Sequence, residues 1–349
     1  MLLGDLGADV IKVERPGSGD ETRSWGPPFD ARGESAYYLS VNRNKLSIGL
    51  DFDRADDRDL IRRLAGEADV VVDNFRRGVL EKRGLGADGF LAEHPTLSWC
   101  TITGFGPESD RPGYDFVAQA ECGWMAITGE PDGDPMKVGV ALADVIAGKD
   151  AAAAILAALV ARARTGRGRR LSISLADSAR AALVNVAQNV LVGGEPATRW
   201  GNAHPNLVPY QLFRAADRPL VIAVGSDAQW VSCARALGLD ALADDEALST
   251  NAGRLAQRDR IVNEFSRYLR ARRASEWQQR LDRAGVPTGV VKEVVEVLSE
   301  VDASPRTGLP SSVGGRVRFP PPLLDEHGSV IRHQGWRVFT GIDRQSDGL

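Results

Sequence analysis

One carboxylate stands out for its place in the chain. Asp144 follows the β-branched run MKVGVAL and precedes VIAGKDAAAAILAALVARAR, an Ala/Leu-rich helix pattern closed by Thr165-Gly166. This order predicts a strand that hands an acidic side chain to the start of a long helix. A free Asp, with a pKa of about 3.9, is ionised at neutral pH. The unpaired N–H groups and positive dipole end of a helix N-terminus favour that anion further. An ionised carboxylate can attack an activated acyl group and form a mixed anhydride, which is covalent catalysis. Ala147 and Gly148 add little bulk beside it, so a ligand can approach the backbone closely. The competing assignment is plain helix capping, for which Asp is a preferred residue. Tyr114 and Asp115 lie upstream on a Gly/Pro-broken segment.

The elements that must position these residues alternate. Asp9–Glu14, Asp69–Asp73, Leu97–Thr103 and Leu171–Leu175 are short β-branched runs bounded by Gly, Pro or charge. Helix-like segments, Ala55–Ala68 and Asp144–Arg164 among them, fall between, which argues for a parallel α/β sheet. GEPATRWGNAHPN reads as a connection. After it come PLVIAVGS and helical stretches around Gln229–Leu237 and Arg258–Arg272, a smaller α/β domain. The expected division is a large domain from residues 1–195 and 299–349, a linker over 196–206 and a small domain over 207–298.

Composition narrows the classes. The chain has 349 residues, 43% hydrophobic and 26% charged, with a formal net charge of −4. That balance gives no reason to expect nucleic acid or an anionic membrane surface. No apolar run approaches the ~20 residues of a membrane span, and no signal-peptide pattern opens the chain. Cys100, Cys122 and Cys233 are scattered and odd in number, which suits a reducing cytoplasm and offers neither a zinc site nor a disulfide framework. No GxGxxG turn, P-loop, GxSxG elbow or HExxH occurs, and the four His are dispersed. No metal site is expected.

The blocks LGADVIKVERPGSGD (Leu6–Asp20), NRNKLSIGLDF (Asn42–Phe52), ADVVVDNFRRGVLEKRGLG (Ala68–Gly86), TITGFG (Thr101–Gly106), RTGRGRRLSISLADS (Arg164–Ser178) and GNAHPNLVPYQLF (Gly201–Phe213) follow one another along the chain. With Tyr37-Tyr38-Leu39 and the segment around Asp144, the sequence resembles the class III CoA-transferases, the family that includes formyl-CoA transferase and, as a relative, α-methylacyl-CoA racemase. The resemblance implies a large Rossmann-like domain built from both chain ends, a small domain between them, and two ring-shaped chains threaded as an interlocked homodimer. It makes Asp144 the nucleophile. It also implies that CoA, a substrate and not a permanently bound cofactor, is contacted by Arg15, Leu50, Asn74, Phe75, Arg76 and Lys82. Ligands of parallel α/β folds gather at the carboxyl ends of strands, and Arg suits phosphates and adenine faces.

Two positions bear on the reaction. Racemases carry His where this chain has Tyr114, and Tyr, with a pKa near 10, is a poor α-proton base at neutral pH. Transfer is favoured over racemisation, with Tyr114 lining the acyl pocket or packing against backbone. Gly148 is a candidate near the oxyanions that develop. GNAHPNLVPYQ resembles members that use succinyl-CoA and dicarboxylic acceptors; His204 and Asn206 can bind a distal carboxylate or fix the turn around Pro205 and Pro209. The family usually begins with a further strand and turn, whereas Met1 falls inside the helix that ends in LGADVIKVE. That departure makes a catalytically inactive CoA-binding protein the second alternative beside the racemase.

Overall fold

The computed structural model describes residues 1–301, 308–313 and 315–340. Of the 299–349 stretch expected in the large domain, residues 302–307, 314 and 341–349 lie outside that description. The chain divides into two units, one from Met1–Gly123, Gly139–Val184 and the described residues from 308 on, the other from Trp124–Val138 and residues 185–301.

In the first unit, β1 (Ile11–Glu14) lies parallel to β2 (Leu46–Gly49), with Ile11 opposite Leu46. β3 (Val70–Asp73), β4 (Ser98–Thr103) and β5 (Arg170–Ser174) form a second parallel sheet in that order. Parallel neighbours require crossovers. Helix Ala87–Glu93 lies between β3 and β4, and the long helix Leu142–Thr165 between β4 and β5. Every residue of β2 is buried. Leu46, Ile48 and Leu50 pack with Leu60 and Leu64 of helix Ala55–Glu67 and with Phe319, Ile331 and Phe339.

Polar side chains fasten this core. Asn44 adopts a left-handed φ of 60°, which Asn tolerates because its short amide bonds locally. Its amide nitrogen donates to Asp5 and to the Arg316 carbonyl, while its oxygen accepts the Phe319 N–H at 3.0 Å. Arg23, almost wholly buried, donates to Glu14 from two nitrogens at 2.7 and 2.9 Å, to Glu34 at 2.6 Å and to the Tyr38 hydroxyl at 2.6 Å. Glu14 ends β1, so this network anchors the strand end from which Arg15 emerges.

Helix Leu142–Thr165 presents Ala143, Ala147, Ala151, Ile155 and Ala158 as a buried stripe. The spacing follows the helical repeat. Small side chains let the axis approach the sheet, where Ala151 and Ile155 meet Cys100 and the flanking Ile102, Leu171 and Ile173. Gly166, at a φ of 67°, ends the helix, its N–H donating to the Arg162 carbonyl at 2.8 Å.

One expected strand does not form. Residues 136–141 of the MKVGVAL run are irregular and largely open to solvent, with Met136 and Val140 among the exposed apolar side chains, and Leu142 already belongs to the long helix. β-branched residues favour strands where a ladder and a packing face exist. The run has neither here, since it pairs with none of the strands of that sheet and lies largely in solvent. Asp144 is thus delivered by an irregular segment.

The second unit holds the antiparallel sheet β6 (Tyr210–Arg214), β7 (Pro219–Ala223) and β8 (Thr288–Val290). Helices Asp227–Leu237, Arg258–Leu269 and Ala274–Arg283 contribute to its core, where Trp230 stacks on Phe265 at 5.8 Å. Arg254 is fully buried there, bonded to the carbonyls of Val208 and Leu248 and to Asp227. No helix among the described residues is long and apolar enough to cross a membrane.

Replacing Arg23 by Met leaves Glu14 and Glu34 facing one another without the cation between them. The expected cost is about 3–5 kcal/mol, measured as a lower denaturant midpoint at unchanged slope. A loss under about 1 kcal/mol would contradict a structural role for this network.

Candidate active site

The helix Leu142–Thr165 starts after Ala141, whose side chain cannot cap it, and Asp144 is its third residue. Asp144 is therefore not the N-cap. Its carboxyl accepts no hydrogen bond and joins no ion pair among the described residues. The cap comes from another helix. Asp115, first residue of helix Asp115–Glu121, accepts the Ala143 N–H at 2.7 Å and lies 3.4 Å from the Asp144 nitrogen through the same oxygen, Oδ1. Its Oδ2 accepts the Gln119 side-chain amide at 2.6 Å.

Two carboxylates thus share one helix start. The Asp144 carboxyl is pushed up to about 6, first by desolvation from the surrounding protein and then by the Asp115 charge. The residue as a whole remains exposed, so water screens part of this effect. The upward direction reverses the expectation that the helix start would favour the anion. The physical reasons are desolvation, first, and the like charge of Asp115, which sits at the same helix start. At neutral pH most of Asp144 is still ionised, but as a more basic carboxylate than a free one.

Gly148 lies one turn further along the same helical face. A Cβ built there meets nothing within 4 Å. Helical side chains lean back toward the N-terminus over the preceding turn, so any side chain at 148 would lean toward Asp144. Glycine leaves that approach open. Tyr114 precedes Asp115 as the N-cap of its helix, with extended backbone and a largely exposed ring that makes no hydrogen bond among the described residues. Tyr37 was not singled out from sequence. Its hydroxyl pKa is raised, first by burial and then by Asp144 and Asp115, and its ring packs edge-on against Trp25 at 5.0 Å. Nothing in one-dimensional spacing marks Tyr37, nor Asp115 as the cap of a helix that begins 27 residues later.

The expected CoA contacts follow the ends of parallel strands. Arg15 comes directly after β1 and is exposed. Asn74, Phe75 and Arg76 come directly after β3 and are exposed, as is Lys82. The turn at 73–75 is fixed by Asp73, which accepts the Phe75 N–H at 3.1 Å and the Trp99 and Thr101 side chains at 2.7 Å each. Phe75 meets Phe52 edge-on at 5.6 Å, and Arg83 pairs with Asp53, so the segments following β2 and β3 are in contact. Leu50 differs. The whole residue is 1% exposed within the core, and its N–H donates to the Glu14 carbonyl at 2.9 Å, so neither its side chain nor its backbone is open to a ligand. Arg77 pairs with Glu108.

In the second unit, His204 Nδ1 accepts the Asn206 N–H at 3.0 Å, and the His204 and Pro205 carbonyls accept from Arg258. Burial first, then Arg258, hold the imidazole pKa down. The Asn206 carbonyl accepts the Asn251 side-chain amide at 2.8 Å. Both residues organise the turn that leads into β6. The three cysteines are buried, and burial raises the Cys122 thiol pKa. Among the described residues no group of three or more His, Cys, Asp or Glu is placed to hold a metal ion.

Known proteins match this chain along most of its length. The family model for CoA-transferase family III covers residues 1–312. The succinate–glutarate CoA-transferase of Agrobacterium fabrum is 42% identical over 318 residues, 87% of this chain and 78% of that protein. The mouse (Mus musculus) succinyl-CoA:glutarate CoA-transferase is 41% identical over 349 residues, 94% of this chain and 80% of its own. The crystal structure of a CaiB/BaiF family protein from Brucella suis superposes with a TM-score of 0.84 at 40% identity, covering 95% of this chain and 93% of that one. The chain belongs to CoA-transferase family III and is a class III CoA-transferase.

Proposed function

We propose that the protein moves CoA between succinyl-CoA and a free dicarboxylic acid of the glutarate kind, with Asp144 as the nucleophile. The observation that carries this reading is an unpartnered carboxylate of raised pKa on an open helical face. The relatives named for succinate, succinyl-CoA and glutarate support the substrate class.

The reaction divides into four balanced steps. Asp144 attacks the donor thioester carbonyl, the C–S bond breaks, and an aspartyl–acyl anhydride forms with release of CoA thiolate. The thiolate attacks the aspartyl carbonyl, forming an aspartyl-CoA thioester and freeing the donor acid. The acceptor carboxylate then attacks that thioester, giving a new anhydride and thiolate again. Finally the thiolate takes the acceptor acyl group, and Asp144 returns as a carboxylate. Each attack develops an oxyanion, and the bare backbone around Gly148 leaves room for donors to reach it. CoA binding away from the reacting carbon keeps the thiolate in place between steps, which favours return over hydrolysis.

Arg15, Asn74, Phe75, Arg76 and Lys82 serve as the CoA contacts in this reading, with Leu50 packed beneath them in the core. Tyr114 lines the acyl pocket. Since Tyr114 stands where a racemase needs an imidazole base, transfer is preferred to racemisation. His204 and Asn206 shape the loop that receives the distal carboxylate. The active form is an interlocked homodimer. The apolar helix Val184–Gly193, which buries none of its residues in the single chain, supports a covering partner. Free thiols in the core suit the cytoplasm.

Three outcomes follow. Asp144→Ala is expected to lose exchange by on the order of 10³-fold or more while still binding CoA; substantial turnover in that variant would refute the nucleophile. Gly148→Val is expected to keep the thermal midpoint and lower kcat/KM by about tenfold or more, because its side chain leans over the carboxylate; unimpaired exchange would place the substrate elsewhere. In a panel of C4–C6 diacids offered with succinyl-CoA, glutarate or a near neighbour is expected to accept CoA. Failure of every diacid would end the dicarboxylate assignment.

A further inference from the structure

We propose that Asp115 is a positioning residue for the transfer, fixing the helix start on which Asp144 stands and withholding from Asp144 the hydrogen bonds that would blunt its attack. The inference rests on Asp144 being the nucleophile.

The open N–H groups of a helix's first turn draw in nearby carboxylates. Here that place is occupied. Asp115 Oδ1 holds the Ala143 N–H at 2.7 Å and approaches the Asp144 nitrogen at 3.4 Å. Asp115 cannot easily be displaced, because Gln119, fully buried, donates to its other oxygen at 2.6 Å. Nor can the helix slide, since Ala143 and Ala147 are packed on the side facing the protein. Asp144 is left with both oxygens available to an electrophile.

The arrangement has a cost that a purely structural cap would avoid. A Ser or Thr would cap the helix without a charge, whereas two carboxylates at one helix start repel each other. The titratable groups that couple to Asp144 are Asp115, from helix Asp115–Glu121, and Tyr37, from helix Ala36–Val41. Neither carboxylate is ion-paired among the described residues. The repulsion therefore stands unrelieved by a cation. It acts in the direction that nucleophilic attack requires, toward a more basic oxygen.

Two substitutions separate the cap from the charge. Asp115→Asn keeps an oxygen for the Ala143 N–H but removes the charge. Asp115→Glu keeps the charge but, being one methylene longer, moves the oxygen off the helix start. The probe is the pH dependence of CoA exchange from succinyl-CoA to glutarate, in the full-length protein, with thermal midpoints recorded for each variant. The wild-type rate is expected to fall on the acid side with an inflection at about 6. In Asp115→Asn that inflection is expected to move down by about 0.5–1 pH unit, with the plateau rate within about threefold. In Asp115→Glu the inflection is expected to stay, while the plateau falls by about tenfold or more. Should Asp115→Asn fail to fold, Asp115→Glu still carries the test. An unshifted inflection in Asp115→Asn, or an unchanged plateau in Asp115→Glu, would overturn the proposal. Asp144→Asn serves as the separating control: exchange that survives in it overturns the nucleophile itself, whatever Asp115 does.

Discussion

The first turn of any helix carries N–H groups that must be met by a side chain, by water or by a ligand. In helix Leu142–Thr165 the side chain that meets them arrives from a separate helix, as Asp115. Asp144 is thereby left beside a helix start without being bound to it. A carboxylate in that condition is poorly solvated by its own protein and faces a like charge, so it holds its proton more tightly than a free Asp. The chemistry proposed for the protein depends on this competition for a few backbone donors.

The rest of the fold keeps that arrangement rigid and, in the proposed reaction, brings CoA to it. The alanine stripe seats the helix on the parallel sheet. Arg23 ties the end of β1 to Glu34 and Tyr38. Asn44 ties the lead into β2 to the segment 316–319. These ionic and amide contacts are buried, so removing one partner is costly even where the pair itself adds little. Exposed Arg15, Asn74, Phe75 and Arg76 follow β1 and β3 on short turns. Binding energy gathered on such residues, remote from the thioester, can be spent on holding the thiolate between steps.

Much of the first unit was legible in the chain. The runs around Ile11, Val70, Trp99 and Leu171 form parallel strands within a residue or two of their expected limits, because β-branched runs bounded by Gly, Pro or charge have few alternatives. The helix around Ala151 and its end at Gly166 were equally plain. MKVGVAL misleads, since alternating valines look the same whether or not a sheet takes them up. The cap on helix Leu142–Thr165 is hidden for a related reason: Asp115 and Ala143 are distant in sequence, and a contact between two helices leaves no periodic trace. The sign of the Asp144 shift was lost with it. Leu50 sits within a conspicuous block, yet burial of its side chain is a property of the packed core and not of the block.

Oxygen bookkeeping offers the most direct measurement. In the four-step route, the acceptor acid gives one of its carboxylate oxygens to the bridging position of the second anhydride, and that oxygen remains on Asp144 when the thiolate departs with the acyl group. Turnover with glutarate carrying ¹⁸O in its carboxylates, followed by proteolysis and mass spectrometry, is predicted to show ¹⁸O in the peptide that contains Asp144. Sustained turnover with no label in that peptide, or with label in a different one, would contradict Asp144 as the group through which CoA passes.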